Sequence, residues 1–300
     1  MQLSAITDEI SQDFEHALDV LLEYGATGAE LRGLWGVNIS DLTDEHVLRA
    51  QKALSVRGLR TACLATPVYK CDLFPVPGAG AAGSGSGAAG AMHLAANRGL
   101  AEQMDLLRRC IRIAGEFDTR LIRVFSFWRK EAYTSEIEQR IIEAFAEPVA
   151  LAEAEGITLA LENEHACFVG TGVEAARIAA AIDSPSLKIV WDPGNAFFAD
   201  EVPYPTGYDA VRPWLCHVHI KDGKMVATED QGRRPQWCVV GDGEINYLGQ
   251  FAALKRDGYT GYISLETHYV PAEGSGENGK GIPEDGSRPC LAALRRLIDL

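Results

Sequence analysis

Apolar residues recur with a helical period along much of the chain. Each such stretch breaks at a turn residue, and a short apolar run follows that ends in polar residues. Over residues 11–24, Phe14, Leu18, Leu21 and Leu22 share one face, Ser11 stands where a cap belongs, and Gly25 closes the stretch before TGAELRG. A stretch over 43–56 ends at Gly58 and leads into LRTACLA. Over 98–116, Leu100, Met104, Leu107 and Ile111 form a stripe ahead of TRLIRVFSF. Over 135–154, Ile137, Ile141, Phe145 and Val149 do the same ahead of ITLALE, and Pro148 is expected to kink that helix. The second half repeats the plan. VEAARIAAAI leads to SLKIVWD, a short helix near 207–214 leads to LCHVHIKD, YLGQFAALKRDG leads to YTGYISLE, and ALRRLIDL forms a final helix. With QLSAITDE at the start, eight strands alternate with helices. Alternation predicts an α/β fold with a parallel sheet, and eight units favour a closed (β/α)8 TIM barrel over an open doubly wound sheet. Residues 1–300 are read as one barrel domain.

Two segments break the rhythm, a Gly/Ala-rich one at 75–97 after strand three and another at 270–289 after strand eight. Both follow strand C-termini, so they are expected as loops at the active-site face. Gly78 to Gly83 spells G-x-G-x-x-G, but no strand-to-helix context surrounds it. Gly274 to Lys280 spells most of a P-loop, yet Gly281 replaces the Ser or Thr that the metal would need.

Composition narrows the classes. Hydrophobic residues make up 47% of the 300, enough for a full core. A net charge of −14 repels phosphate backbones, so no nucleic-acid partner is expected. The seven cysteines are scattered without a C-x-x-C pair, which suits a reducing cytoplasm. MQLSAITDEI lacks the basic and apolar regions of a signal peptide, and no long apolar run suggests a membrane span. A cytoplasmic protein is expected.

The informative positions are the strand ends. Alternate residues of a barrel strand face the interior. In TLALENEH, Glu162 and Glu164 share inward parity with Ala160, while Asn163 points away. Asp192 shares parity with Val190 in strand six. His217 and His219 both face inward from strand seven, with His219 nearer the rim, and Glu266 shares parity with Ser264 in strand eight. Four consecutive strands thus each deliver a metal-type ligand: Glu162, Asp192, His219 and Glu266. Without a cation, three carboxylates at close range would need several Arg or Lys partners or raised pKa values. The donor set suits one divalent ion, Mn²⁺ first, with Mg²⁺, Co²⁺ or Zn²⁺ as alternatives. Glu30 and Arg32, after strand two, share inward parity and are candidates for substrate contact or for an interior ion pair.

At LALENEH, VWDPGN, HVHIKD, GDGEINY and ISLETH the chain resembles the xylose-isomerase-like TIM-barrel superfamily of sugar-phosphate isomerases and epimerases. The resemblance covers nearly all of the chain outside the Gly-rich segment. It implies that Glu162, Asp192, His219 and Glu266 hold the metal and that Glu162 and Glu266 form the acid/base pair. It also implies a small-molecule partner, a keto-sugar, sugar phosphate or related polyol, and is compatible with a homo-oligomer. The chemistry agrees: removing a proton beside a carbonyl needs a base and a cation to hold the resulting charge. Two departures narrow the branch. Asn195 stands where epimerases often carry His, and Lys221-Asp222 stands where they carry Arg, as in inosose-dehydratase-like members. His165, Asn195 and Lys221 are therefore candidate substrate contacts. The expected function is a metal-dependent sugar isomerase or epimerase. The alternatives are a metal-dependent dehydratase of an inosose- or dehydroshikimate-like ring, and a non-catalytic metal- or sugar-binding barrel.

Overall fold

The computed structural model describes residues 1–74, 99–228 and 232–300, so the expected Gly/Ala-rich loop lies outside the described residues. All eight expected strands form: Gln2–Ala5, Gly28–Leu31, Arg60–Leu64, Leu121–Val124, Thr158–Glu162, Leu187–Trp191, Leu215–Ile220 and Tyr262–Leu265. They are called strands one to eight below. Every adjacent pair from strand two round to strand one is parallel. Strands one and two close the ring through a parallel bridge between Ile6 and Glu30 and a Thr27 N–H to Leu3 carbonyl bond of 3.2 Å. The helices between them bury their apolar faces on the barrel, as parallel sheets require.

Local signals account for the element ends. Asp13 caps helix Phe14–Glu23 by accepting from the His16 N–H, and Thr43 caps Asp44–Ser55 in the same way. Helix Ser135–Glu155 stops at Gly156, whose φ of 63° is left-handed and free of strain only for glycine. Pro148 lies inside that helix without ending it. In helix Gln103–Glu116 the fully inward face is Leu106, Leu107, Cys110 and Ala114, so the expected stripe is rotated and Met104 and Ile111 are only partly buried.

The segment after strand eight departs from expectation. Helix Pro283–Asp299 begins inside the expected 270–289 loop. Pro283 suits the first helical position, and Asp285 accepts from the Ile282 N–H at 2.9 Å, which starts the helix despite the Gly and Pro around it. An antiparallel ribbon, Asp222–Ala227 with Arg233–Cys238, rises from the end of strand seven and was not anticipated. No helix among the described residues is long and apolar enough to cross a membrane.

Candidate active site

Glu162, Asp192, His219 and Glu266 stand at or one residue from the C-terminal ends of strands five to eight. All are buried, and one ligating atom from each lies within 4.8 Å of the others. The backbone fixes them in different ways. Asp192 caps the short helix Pro193–Phe198, accepting from the Asn195 N–H at 2.8 Å. Asn163, whose parity is outward, is fully buried. Its amide accepts from Asp192 N–H at 2.9 Å and donates to Asp192 O at 2.9 Å, locking strand six to strand five. Asn195 donates to Glu162 Oε1 at 3.2 Å.

His219 is oriented from below. Glu30 lies fully buried beneath it and accepts from His219 Nε2 at 3.0 Å and from His217 Nε2 at 2.9 Å. An ionised carboxylate only accepts, so both Nε2 atoms carry protons and His219 presents Nδ1 to the cluster, 3.3 Å from Glu162 Oε1. Both inward histidines of strand seven thus share one carboxylate. Arg32 turns instead to the short helical turn Thr7–Glu9 that follows strand one, with Asp8 at 2.9 Å and Glu9 at 2.8 Å, and reaches Glu266 at 3.8 Å.

Cations balance the carboxylates. Lys221 Nζ contacts Glu266 Oε2 directly and lies 2.8 Å from Asp192 Oδ2. Arg123 Nη1 lies 3.2 Å from Glu162 Oε2. Burial pushes the Asp192 carboxyl up to about 6, with the charges of Glu266 and Glu162 adding to it against Lys221. Burial also acts on Glu266, but Lys221 and His268 outweigh it and hold that carboxyl well below the usual range. For His219, burial is outweighed by the charges of Glu30 and Glu162, which hold the imidazole well above its usual value.

Glu162 Oε2 and Asp192 Oδ2 are buried without an aligned hydrogen-bond donor, despite the nearby cations. Two such oxygens beside an imidazole nitrogen and a third carboxylate fit a hard or borderline divalent ion. The donor chemistry therefore suits the expected metal, and Lys221 is the cation that touches two of the four donors.

The rim carries residues that the strand pattern did not single out. Glu164 accepts from Lys70 at 3.2 Å and lies 3.0 Å from His165 Nδ1, which also meets Asn195 Oδ1 at 2.9 Å. Burial would lower the His165 pKa, but Glu164 and Asn195 raise it. Trp237, carried by the ribbon, meets Phe198 at 4.5 Å and His268 at 4.6 Å between ring centres, and His165 meets Phe198 at 6.2 Å. These aromatic rings border the mouth. Arg123 shared inward parity in TRLIRVFSF and was legible in principle; Lys70 and Trp237 carried no periodic signal.

The K-D and G-D-G motifs belong together. Asp222 accepts from the backbone N–H groups of Gly223, Gly241 and Gly243 at 2.8, 2.8 and 3.1 Å. A Cβ on Gly243 would run into that carboxylate, so only glycine fits. Tyr247 donates its hydroxyl to the Lys221 carbonyl. The stretch 241–247 thus clamps the root of the ribbon and the backbone that presents Lys221.

The sequence profile of the xylose isomerase-like TIM barrel matches residues 18–296. The chain belongs to that family. Among xylose isomerase-like relatives, the inosose dehydratase of Bacillus licheniformis is 26% identical over 155 residues, 48% of this chain and 51% of that protein. The chain therefore matches about half the length of that relative. The 3-keto-D-glucoside 4-epimerase YcjR of E. coli superposes with a TM-score of 0.67 at 16% identity, covering 100% of each chain. The IOLI protein with a bound zinc atom superposes with a TM-score of 0.71 at 13% identity, covering 100% of this chain and 98% of that one. At such identities the two structures show the shared barrel alone.

Proposed function

We propose that this xylose isomerase-like barrel is a divalent-metal-dependent isomerase or epimerase of a keto-sugar, sugar phosphate or related polyol. The observation that carries the reading is the convergence of Glu162, Asp192, His219 and Glu266 at the barrel mouth. These four would hold the ion, Mn²⁺ first. When bound, the ion would polarise the substrate carbonyl and favour loss of the adjacent proton. Glu162 and Glu266, at the ends of strands five and eight, flank that position; one removes the proton and the other returns it. Asn195 keeps Glu162 in place, and Phe198 and Trp237 keep water from one side of the mouth.

A second reading is a dehydratase. It is supported by the inosose dehydratase relative and by the Glu164–His165 pair, which holds a proton-rich imidazole at the rim where a departing hydroxyl would need an acid. One experiment tests both. Mn²⁺-loaded protein is incubated with keto-sugars and inososes in D₂O, and products are read by mass spectrometry. The isomerase or epimerase reading expects an isomer carrying one deuteron from solvent. A product lighter by one water would establish the dehydratase instead, and no turnover of any compound would sink both.

Glu30 offers a sharper check on the metal. Glu30→Gln removes the charge behind His219 and one of the two acceptor sites. Mn²⁺ affinity should fall by roughly 10- to 100-fold in calorimetry. Unchanged affinity would show that His219 needs no such support.

A further inference from the structure

Lys221 stands at a position whose geometry goes beyond a substrate contact. Its ammonium touches Glu266 Oε2 and lies 2.8 Å from Asp192 Oδ2, so it engages two of the four groups that would ligate the ion. A divalent ion draws carboxylate oxygens to about 2.0–2.2 Å. An ammonium held on those same carboxylates would then lie only a few ångströms from a doubly charged cation in a buried site, where repulsion is poorly screened.

One of the cations must yield, and the neighbours show which. Arg32 is fixed by hydrogen bonds from both Nε and Nη2 to the Asp8 carboxylate and by an ion pair to Glu9. Arg123 donates to the Ala65 carbonyl at 3.2 Å and stacks on Phe125. Lys221 has its backbone pinned by Tyr247, but its side chain is a flexible stem. That stem runs over Gly194, where a Cβ would come within 2.6 Å of Lys221 Cγ. Gly194 therefore leaves the passage along which the ammonium reaches Asp192. On the mouth side, Trp237 presents its ring 5.9 Å from Nζ, a surface on which a released ammonium can rest.

We propose that Lys221 and the divalent ion are alternative counter-ions of the Asp192–Glu266 pair, so that metal binding expels the Lys221 ammonium toward Trp237 and the barrel mouth. The inference rests on the metal-site reading above. It makes Lys221 an internal competitor that weakens metal binding. It also makes Lys221 available to a ligand in the mouth only in metal-loaded protein.

Two measurements decide it. In calorimetric titration with Mn²⁺, Lys221→Met should bind at least about ten-fold more tightly than the unaltered protein, and Lys221→Arg no more tightly. Independently, the unaltered protein is treated with an amine-reactive ester with and without Mn²⁺, and acylation of Lys221 is read by mass spectrometry; Mn²⁺ should raise it several-fold relative to the exposed Lys52. This second measurement needs no variant to fold. Equal or weaker Mn²⁺ binding by Lys221→Met, or labelling of Lys221 that ignores Mn²⁺, would overturn the exchange while leaving the metal site standing. Failure of the unaltered protein and both variants to bind Mn²⁺ would overturn the site and the exchange together.

Discussion

Glu162→Gln should lower turnover by roughly a thousand-fold, because under the proposed function one change would remove both a ligand and half of the proton-transferring pair. The substitution is close to isosteric, and an amide can still accept from Asn195, so the fold around it should persist. Glu162 is fully buried between Asn195 and Arg123, which leaves no exposed carboxylate in the same place to substitute for it. The measurement is kcat on whichever sugar the D₂O screen identifies, with circular dichroism as a check on folding. A kcat within ten-fold of the unaltered enzyme would remove Glu162 from the chemistry. The roles of Glu162 and Glu266 could then not be a pair.

The second large effect concerns stability. Arg32 is only 1% exposed, and it holds Asp8 and Glu9 in the same buried space. Arg32→Met keeps the length of the stem and removes the guanidinium, leaving two buried carboxylates without their cation. Breaking a buried pair in this way costs about 3–5 kcal/mol, and urea unfolding should show a loss of that size. Adding Asp8→Asn should restore part of it, since one of the stranded charges is then gone. A single variant as stable as the unaltered protein would mean that the ion pairs contribute nothing net, and that Arg32 is retained for another reason.

The barrel was legible because its strands are short apolar runs bounded by glycine or aspartate and separated by helical stripes. Parity then narrows the reading to Glu162 or Glu164, with Asp192, His219 and Glu266, since a period of two says which side chains look inward, and only the family resemblance chooses Glu162 over Glu164. Parity does not say what an inward residue meets across the barrel. Glu30 shared the inward side with Arg32, yet its partners His217 and His219 lie 187 and 189 positions away in the chain. The same limit hid Lys70 behind Glu164. Asn163 has outward parity, but its hold on the Asp192 backbone depends on how strand ends crowd, which no periodicity encodes. The ribbon escaped because DGKMVA and RRPQWC do not alternate apolar and polar residues, and Pro235 argues against a strand.

Closure of the ring between strands one and two constrains how the barrel forms during synthesis. Among the described residues strand one pairs with strands two and eight, and Lys221 and His219 find carboxylates 45 and 189 positions away in the chain. While a ribosome is still making strand eight, Lys221 has no Glu266 and strand one has an unpaired edge. Contacts spanning most of the chain are slow to form because the intervening loop entropy must be lost first. The barrel should therefore stay open through most of its synthesis. Docking of strand eight then seals the hydrogen-bond ring and completes the charge balance in a single late step. A chain that misplaces strand eight by one residue would turn Glu266 away from Lys221, so the carboxylate proposed for the chemistry also reports whether the last strand has arrived in register.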